Sequence, residues 1–224
     1  MSTNIISQAT RTVPHHDESA VDPADLWSAL VSGRARIVDS GATEAHHYFQ
    51  LVKSNPAPCA TALSDSRVRM LERVLLGDAP KVVAMEAGCT TSTVATAVGG
   101  CLSAMGLERR SSRVPALLVL MLHALRGKAD RAAFHVECAP GQREDRQLVS
   151  SARLELCLRR RLSASELAVV SLLVEGKNYV EIARHRGSAV RTVANQIASV
   201  YRKLGISGRI DLLCYLVAAN TPSN

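Results

Sequence analysis

Aromatic residues are scarce: two Phe, four Tyr and one Trp make up 3% of 224 residues. A core must therefore be built from Ala, Val and Leu, and a platform of stacked aromatics for single-stranded nucleic acid is excluded. Long apolar runs are missing too. The longest nearly uninterrupted one, 114–125, has twelve residues with Pro115 and His123 inside it, too few to cross a bilayer. The first twenty residues hold no basic stretch followed by an apolar one, which argues against a secretory leader. None of the six cysteines (59, 89, 101, 138, 157, 214) forms a CxxC pair, so they read as small apolar residues and not as a disulfide frame or zinc site. Hydrolase, P-loop, zincin and dinucleotide-binding motifs are all absent, and no catalytic set stands out. His15-His16 and His46-His47 are adjacent pairs, and neighbours in a strand point to opposite faces, a poor arrangement for one metal ion. The expectation is a cytoplasmic, reduced, non-enzymatic protein with no cofactor, no metal and no membrane partner.

What is present is a foldable mixture, 47% hydrophobic and 21% charged, with a net charge of +7 that favours an anionic partner. Its length suits one large domain or two small ones. Residues 1–22 are polar and read as a flexible tail. Over 23–60, a short helix from Ala24 to Ser32 precedes a hairpin built from Arg36–Asp39 and Tyr48–Lys53, and Ser54–Pro58 makes a turn. Helical spacing occupies 61–127, with stops at Gly77, Gly88, Gly106 and Gly127 and a fourth helix opening near Ser112. Residues 128–161 read as a second hairpin or connector, pairing Phe134–Cys138 with Arg153–Leu158 across the polar 139–146 segment. Helical spacing returns over 162–219, before a short tail at 220–224.

The punctuation repeats. A shift of 99 residues places Leu63 on Leu162, Gly77 on Gly176, Gly88 on Gly187, Val94 on Val193 and Gly106 on Gly205 without a gap, with ten identities over 44 positions. The chain therefore reads as a tandem duplication of a hairpin followed by four helices.

The second copy carries a more specific pattern. Leu162-Ser163-Ala164-Ser165-Glu166 leads to Glu181-Ile182-Ala183, Gly187, Arg191-Thr192-Val193, Tyr201-Arg202-Lys203-Leu204-Gly205-Ile206 and Arg209. A helix at Val180–Arg186, a sharp turn at Gly187 and a helix from Val190 to Leu204 make a helix-turn-helix. In the latter helix Val193, Ile197, Val200 and Leu204 form the buried stripe and leave Arg191, Ala194, Asn195, Ala198, Arg202 and Lys203 outside. This segment resembles the LuxR/FixJ-type helix-turn-helix domain of bacterial transcription regulators. The resemblance implies a recognition helix in the major groove of double-stranded DNA, with Ala194, Asn195 and Ala198 facing bases. It also implies that Arg191, Thr192, Gln196, Arg202 and Lys203 make backbone or flanking contacts. The family usually has a basic residue where this chain has Ala194, and another where it has Val180, so phosphate contacts and DNA shape are expected to carry more of the affinity. The run Arg159-Arg160-Arg161 is either a further phosphate contact or a plain solvated segment.

The first copy keeps the frame without that chemistry. Ser92, Thr96, Ala97, Ser103 and Ala104 stand where the second copy has Arg191, Asn195, Gln196, Arg202 and Lys203. Gly99-Gly100 falls inside its third helix at a cost on the order of 1 kcal/mol per glycine. It reads as a degenerate helix-turn-helix with a structural or dimerising task. Its last helix is apolar around most of its circumference, more than one core face needs, and two coverings are open: Ile210–Ala218 of the second copy, which makes one chain a pseudo-dimer, or the same helix of a second chain in a homodimer.

The fold expected is thus mainly α with short β-hairpins, in two tandem four-helix units each preceded by a hairpin. The function expected is a nucleoid-associated, sequence-specific regulator of transcription. Residues 23–60 are too short for a receiver domain, so control by abundance or a protein partner is expected. The rival reading makes both units scaffolds that engage another regulator or RNA polymerase without touching DNA.

Overall fold

The computed structural model describes residues 22–53, 63–109, 114–129, 134–138 and 146–220. Of the tails read at 1–22 and 220–224, all but Asp22 and Asn220 lie outside them, as do the turn at 54–58 and the polar 139–146 segment except Arg146. Helix α1 (Pro23–Val31) starts where it must: Asp22 accepts from the Ala24 amide at 2.9 Å, and Pro23 occupies the first turn, where an amide hydrogen has no helical partner. It buries Leu26, Trp27 and Leu30, and the Trp27 indole donates to Glu72 at 2.9 Å.

Strands β1 (Ala35–Ala42) and β2 (His46–Lys53) form the first hairpin, with an irregularity between Ile37 and Asp39 that leaves Val38 exposed. Strands β3 (His135–Cys138) and β4 (Arg146–Ala152) form the second. The hairpins are not separate decorations of two units. Pairing of β2 with β4 joins them into one antiparallel sheet ordered β1-β2-β4-β3.

One strand lies elsewhere than expected. Arg153–Leu158 was read as a strand from its alternating leucines, but Leu154–Arg160 is a 3-10 helix and the strand is upstream at Arg146–Ala152. The alternation misleads because the residue turned fully inward is Glu155, which bonds the buried His47 at 2.8 Å. Burial pushes the Glu155 carboxyl up, but the hydrogen bond and charge of His47, with Arg153 beside it, outweigh this and bring it below its usual range. In the true strand, the inward positions Val149 and Ser151 include a serine, so no apolar alternation marks it.

Two sets of four helices follow the two hairpins. The first comprises α2 (Asp65–Leu75), α3 (Pro80–Glu86), α4 (Thr91–Ala104) and α5 (Ala116–Leu125), and the second α6 (Ala164–Val174), α7 (Tyr179–Arg186), α8 (Val190–Leu204) and α9 (Arg209–Asn220). The first residues of α2, α3 and α4 each stand 99 positions before those of α6, α7 and α8. Pro115 is the residue just before α5, with φ −61° and ψ 140°.

Two glycines set close approaches. A Cβ on Gly106, whose φ is +90°, would sit 2.1 Å from the Ile37 carbonyl, where α4 ends against β1 and the Ile37 amide donates to Met105 at 2.8 Å. A Cβ on Gly99 would meet the Arg109 carbonyl at 2.8 Å, so the mid-helix glycine that looked like a propensity cost admits the returning backbone.

Helix α5 is the centre of the molecule. Ala116 through Ala124 are all buried, and the helix packs against α1, α2, β2 and α9. Arg209, itself buried at the start of α9, donates to the carbonyls of Leu173, Val174 and Val114 at 2.6–3.0 Å, joining the end of α6 to the approach to α5. Burial pushes its guanidinium down to about 10. His123 is the polar exception on α5: it is buried, its Nε2 has no partner, and burial pushes its pKa below 6.5, with the nearby Lys128 charge acting the same way.

Because the folded pKa of His123 lies below the unfolded one, protonation opposes folding: stability is unaffected by it above about pH 6.5 and is lost as pH falls from there toward the folded pKa. His123→Leu should raise stability at pH 7 by about 1–2 kcal/mol, by removing an unsatisfied buried nitrogen, and should erase that part of the acid-side loss. Denaturant unfolding at pH 5 and 7 checks both; a destabilised variant with an unchanged pH profile contradicts them.

Candidate nucleic-acid interface

Helices α7 and α8 are fixed at their ends by local chemistry. Asn178 accepts from the amides of Val180 and Glu181 at 3.0 Å, and Glu181 accepts from the Asn178 amide at 2.8 Å, a reciprocal cap that starts α7. Gly187, with φ +61°, turns the chain after α7, and α8 runs from Val190 to Leu204. Val193, Ile197, Val200 and Leu204 are the buried residues of α8, the stripe expected from sequence.

The opposite face divides into two groups. Arg191, Thr192, Asn195, Ala198 and Arg202 are exposed and Ala194 is half-buried; none of the polar side chains among them makes a hydrogen bond or ion pair with a described residue. Arg184 and His185 are exposed nearby on α7. Gln196 and Lys203 are occupied. Gln196 is bonded to Ser165 and Arg186, and the Lys203 ammonium bridges both carboxylate oxygens of Glu166 at 2.7 and 2.8 Å. Glu166 also accepts from the Ser163 amide and from Ser199 Oγ, so one carboxylate caps α6 and ties it to α8. The Lys203 bond and the Ser163 amide hold the Glu166 carboxyl down to about 2. Sequence reasoning quoted Ser163 and Glu166 as part of the family pattern and missed this task; the signal was a serine three residues before a glutamate at a helix start.

Ahead of the domain, Arg159 and Arg160 are exposed, whereas Arg161 lies over the Tyr215 ring, 5.8 Å from its centroid, and bonds the Tyr215 hydroxyl. The corresponding face of α4 carries exposed Ser92, Thr93, Thr96 and Ser103. Charge separates the two sets. Residues 164–204 hold six basic groups (Lys177, Arg184, Arg186, Arg191, Arg202, Lys203) against three acidic ones (Glu166, Glu175, Glu181), whereas 65–105 hold four (Arg67, Arg69, Arg73, Lys81) against four (Asp65, Glu72, Asp78, Glu86).

Elsewhere, a polar cavity of about 300 Å³ opens between β1, the Gly106–Glu108 segment and the turn at Glu175–Lys177. Its charged lining is engaged: Glu175 bonds Arg153 and Lys177 at 3.2 and 2.8 Å. Among the described residues no cluster of three or more His, Cys, Asp or Glu is arranged for a metal, and no helix is long and apolar enough to cross a membrane. Cys89, Cys101, Cys157 and Cys214 are free thiols, and burial pushes that of Cys214 up to about 11.

Residues 160–216 match the family model described as bacterial regulatory proteins, luxR family. That segment, about a quarter of the chain, is a LuxR-type helix-turn-helix domain. No curated protein and no solved structure matches the chain.

The Glu166 carboxyl, about 2 when folded against 4.5 ordinarily, contributes stability that is fully present above about pH 4.5 and lost as pH falls toward 2. The stability difference between the native chain and Lys203→Met, measured by thermal melts, should shrink over that window; a constant difference contradicts the pairing.

Proposed function

We propose that the protein is a sequence-specific, double-stranded-DNA-binding regulator of transcription, of bacterial type and acting at the nucleoid, in which 162–219 form the reading unit. The observation that carries this reading is the unpartnered row Arg191, Thr192, Asn195 and Arg202 on the outward face of α8, within a LuxR-type domain. Asn195 is suited to a bidentate bond with adenine, Ala194 and Ala198 let the backbone approach base edges, and Arg191, Thr192 and Arg202 reach phosphates. Gln196 and Lys203 belong to the same face but are held against α6. No bond is made or broken; the protein binds and positions.

The first four-helix set is a degenerate second copy. The 99-residue spacing of three helix starts supports duplication, and the neutral, hydroxyl-rich α4 supports loss of reading. Packing of α5 on α9 supports a pseudo-dimer within one chain. The rival reading, a scaffold for RNA polymerase or another regulator, draws support from the first set alone: Met85 and Val82 are exposed at 74% and 39% on α3, an apolar surface that a purely structural unit would not need.

Selection from a pool of random duplexes at several salt concentrations tests the DNA reading. A motif should be enriched and affinity should fall by orders of magnitude between about 50 and 200 mM salt; no motif and no salt slope contradict it. On the enriched duplex, Asn195→Ala should cost about 1–3 kcal/mol and relax preference at one base pair. Thr96→Ala and Ser103→Ala should leave binding unchanged, and a large loss in either contradicts the division between the units.

A further inference from the structure

Three side chains from three helices close a ring beside the reading face. Arg186, in the last turn of α7, donates through Nη1 to the Ser165 carbonyl at 2.8 Å and to Gln196 Oε1 at 3.3 Å, and through Nη2 to Ser165 Oγ at 2.9 Å. Gln196 on α8 donates to the same Ser165 hydroxyl at 2.9 Å. The Ser165 oxygen thus accepts twice, using both lone pairs, and each member of the ring touches the other two.

We infer that Arg186, Ser165 and Gln196 are positioning residues that fix the rotation of α8, so that Gln196 serves DNA reading from inside the protein and not by contact with DNA. This rests on the DNA reading proposed above. The buried stripe holds α8 against the core along one seam, and Ser199 and Lys203 tie its C-terminal half to Glu166; among the described residues, the ring is the polar tie off that seam in the N-terminal half, beside Asn195. Gln196 is bonded off that seam and is the immediate neighbour of Asn195. At a helix radius of about 5–6 Å, a 10° roll moves an outward side chain by about 1 Å, enough to break a bidentate bond to a base edge.

The first helix set supplies the contrast. At the positions 99 residues earlier it keeps Ser66 but has Ala87 and Ala97, so the ring cannot form there. Its helices nonetheless start at the same spacing, and Val83, Val94 and Val98 are buried as Ile182, Val193 and Ile197 are. The three-helix fold therefore does not depend on the ring; the set that lacks it is also the set whose outward face has lost every charge.

The test uses the full chain with the duplex enriched from the random pool, comparing Ser165→Ala, Gln196→Ala, the double variant and Arg186→Met. Each alanine variant should weaken binding to that duplex about two- to tenfold and reduce discrimination against a mismatch at the base pair read by Asn195. The double variant should be no weaker than the worse single one, and no variant should change the salt slope. A silent Ser165→Ala beside a weakened Gln196→Ala overturns the proposal in favour of direct contact by Gln196. A slope reduced by about 0.9 in Arg186→Met overturns it in favour of a phosphate contact. Amide hydrogen exchange on the free chain separates this from the DNA reading itself: exchange along α8 should quicken in both alanine variants, and unchanged exchange overturns the ring as a constraint whatever the DNA result. If exchange quickens but the native chain enriches no duplex, the DNA reading has failed and the positioning role falls with it.

Discussion

Helix α5 has no side it can give to water. From Ala116 to Ala124 it is buried throughout, and a ten-residue helix of that kind is stable only when other elements enclose it. The enclosing elements come from every part of the chain: α1 and β2 from before the first helix set, α2 from within it, and α9 from the end of the second. Enclosure of α5 thus makes one molecule of two hairpins and two helix sets. It also commits the apolar face of α9, where Leu212, Leu213, Leu216 and Val217 are buried. Arg209 adds direction to this apolar contact, since its guanidinium can reach the carbonyls of Leu173, Val174 and Val114 only in one relative placement of α9, α6 and the approach to α5.

The two helix sets differ in where charge and polar bonds are placed. On α8 and its neighbours, cations exceed acids, and Gln196, Ser199 and Lys203 are tied to α6 while Arg191, Thr192, Asn195 and Arg202 have no partner among the described residues. On α2–α4, cations and acids balance, and Arg73 takes both Asp78 and Glu86. The seam that carries Glu166 and Lys203 in the second set has Arg67 and Ala104 in the first, so that ion pair cannot form there. Hydroxyls and small residues occupy the outward face of α4.

Much of this was legible in the sequence because it was local or periodic. The bounds of α8, its stripe Val193–Ile197–Val200–Leu204 and the turn at Gly187 followed from 3.6-residue spacing and one glycine. The all-round apolarity of α5 announced that more than one surface must cover it, and α9 is among those that do. Features built from distant residues were not legible. His47 meets Glu155 across 108 positions, which is why an inward glutamate hid inside an apparent strand. The bonds of Lys203 to Glu166 and of Gln196 to Ser165 were not legible either, because those partners stand 37 and 31 residues earlier. The cost assigned to Gly99 ignored Arg109, whose carbonyl no pattern on α4 reveals. The union of the two hairpins was hidden for the same reason, since β2 and β4 are separated by an entire helix set.

The central claim is that the chain engages DNA through α7 and α8 while α3 and α4, though similarly arranged, do not. Hydrogen exchange of the full chain with and without the enriched duplex tests this most directly. The account predicts new protection over 179–204 and none over 80–104. Equal protection of both segments, or protection of α4 with none on α8, contradicts it.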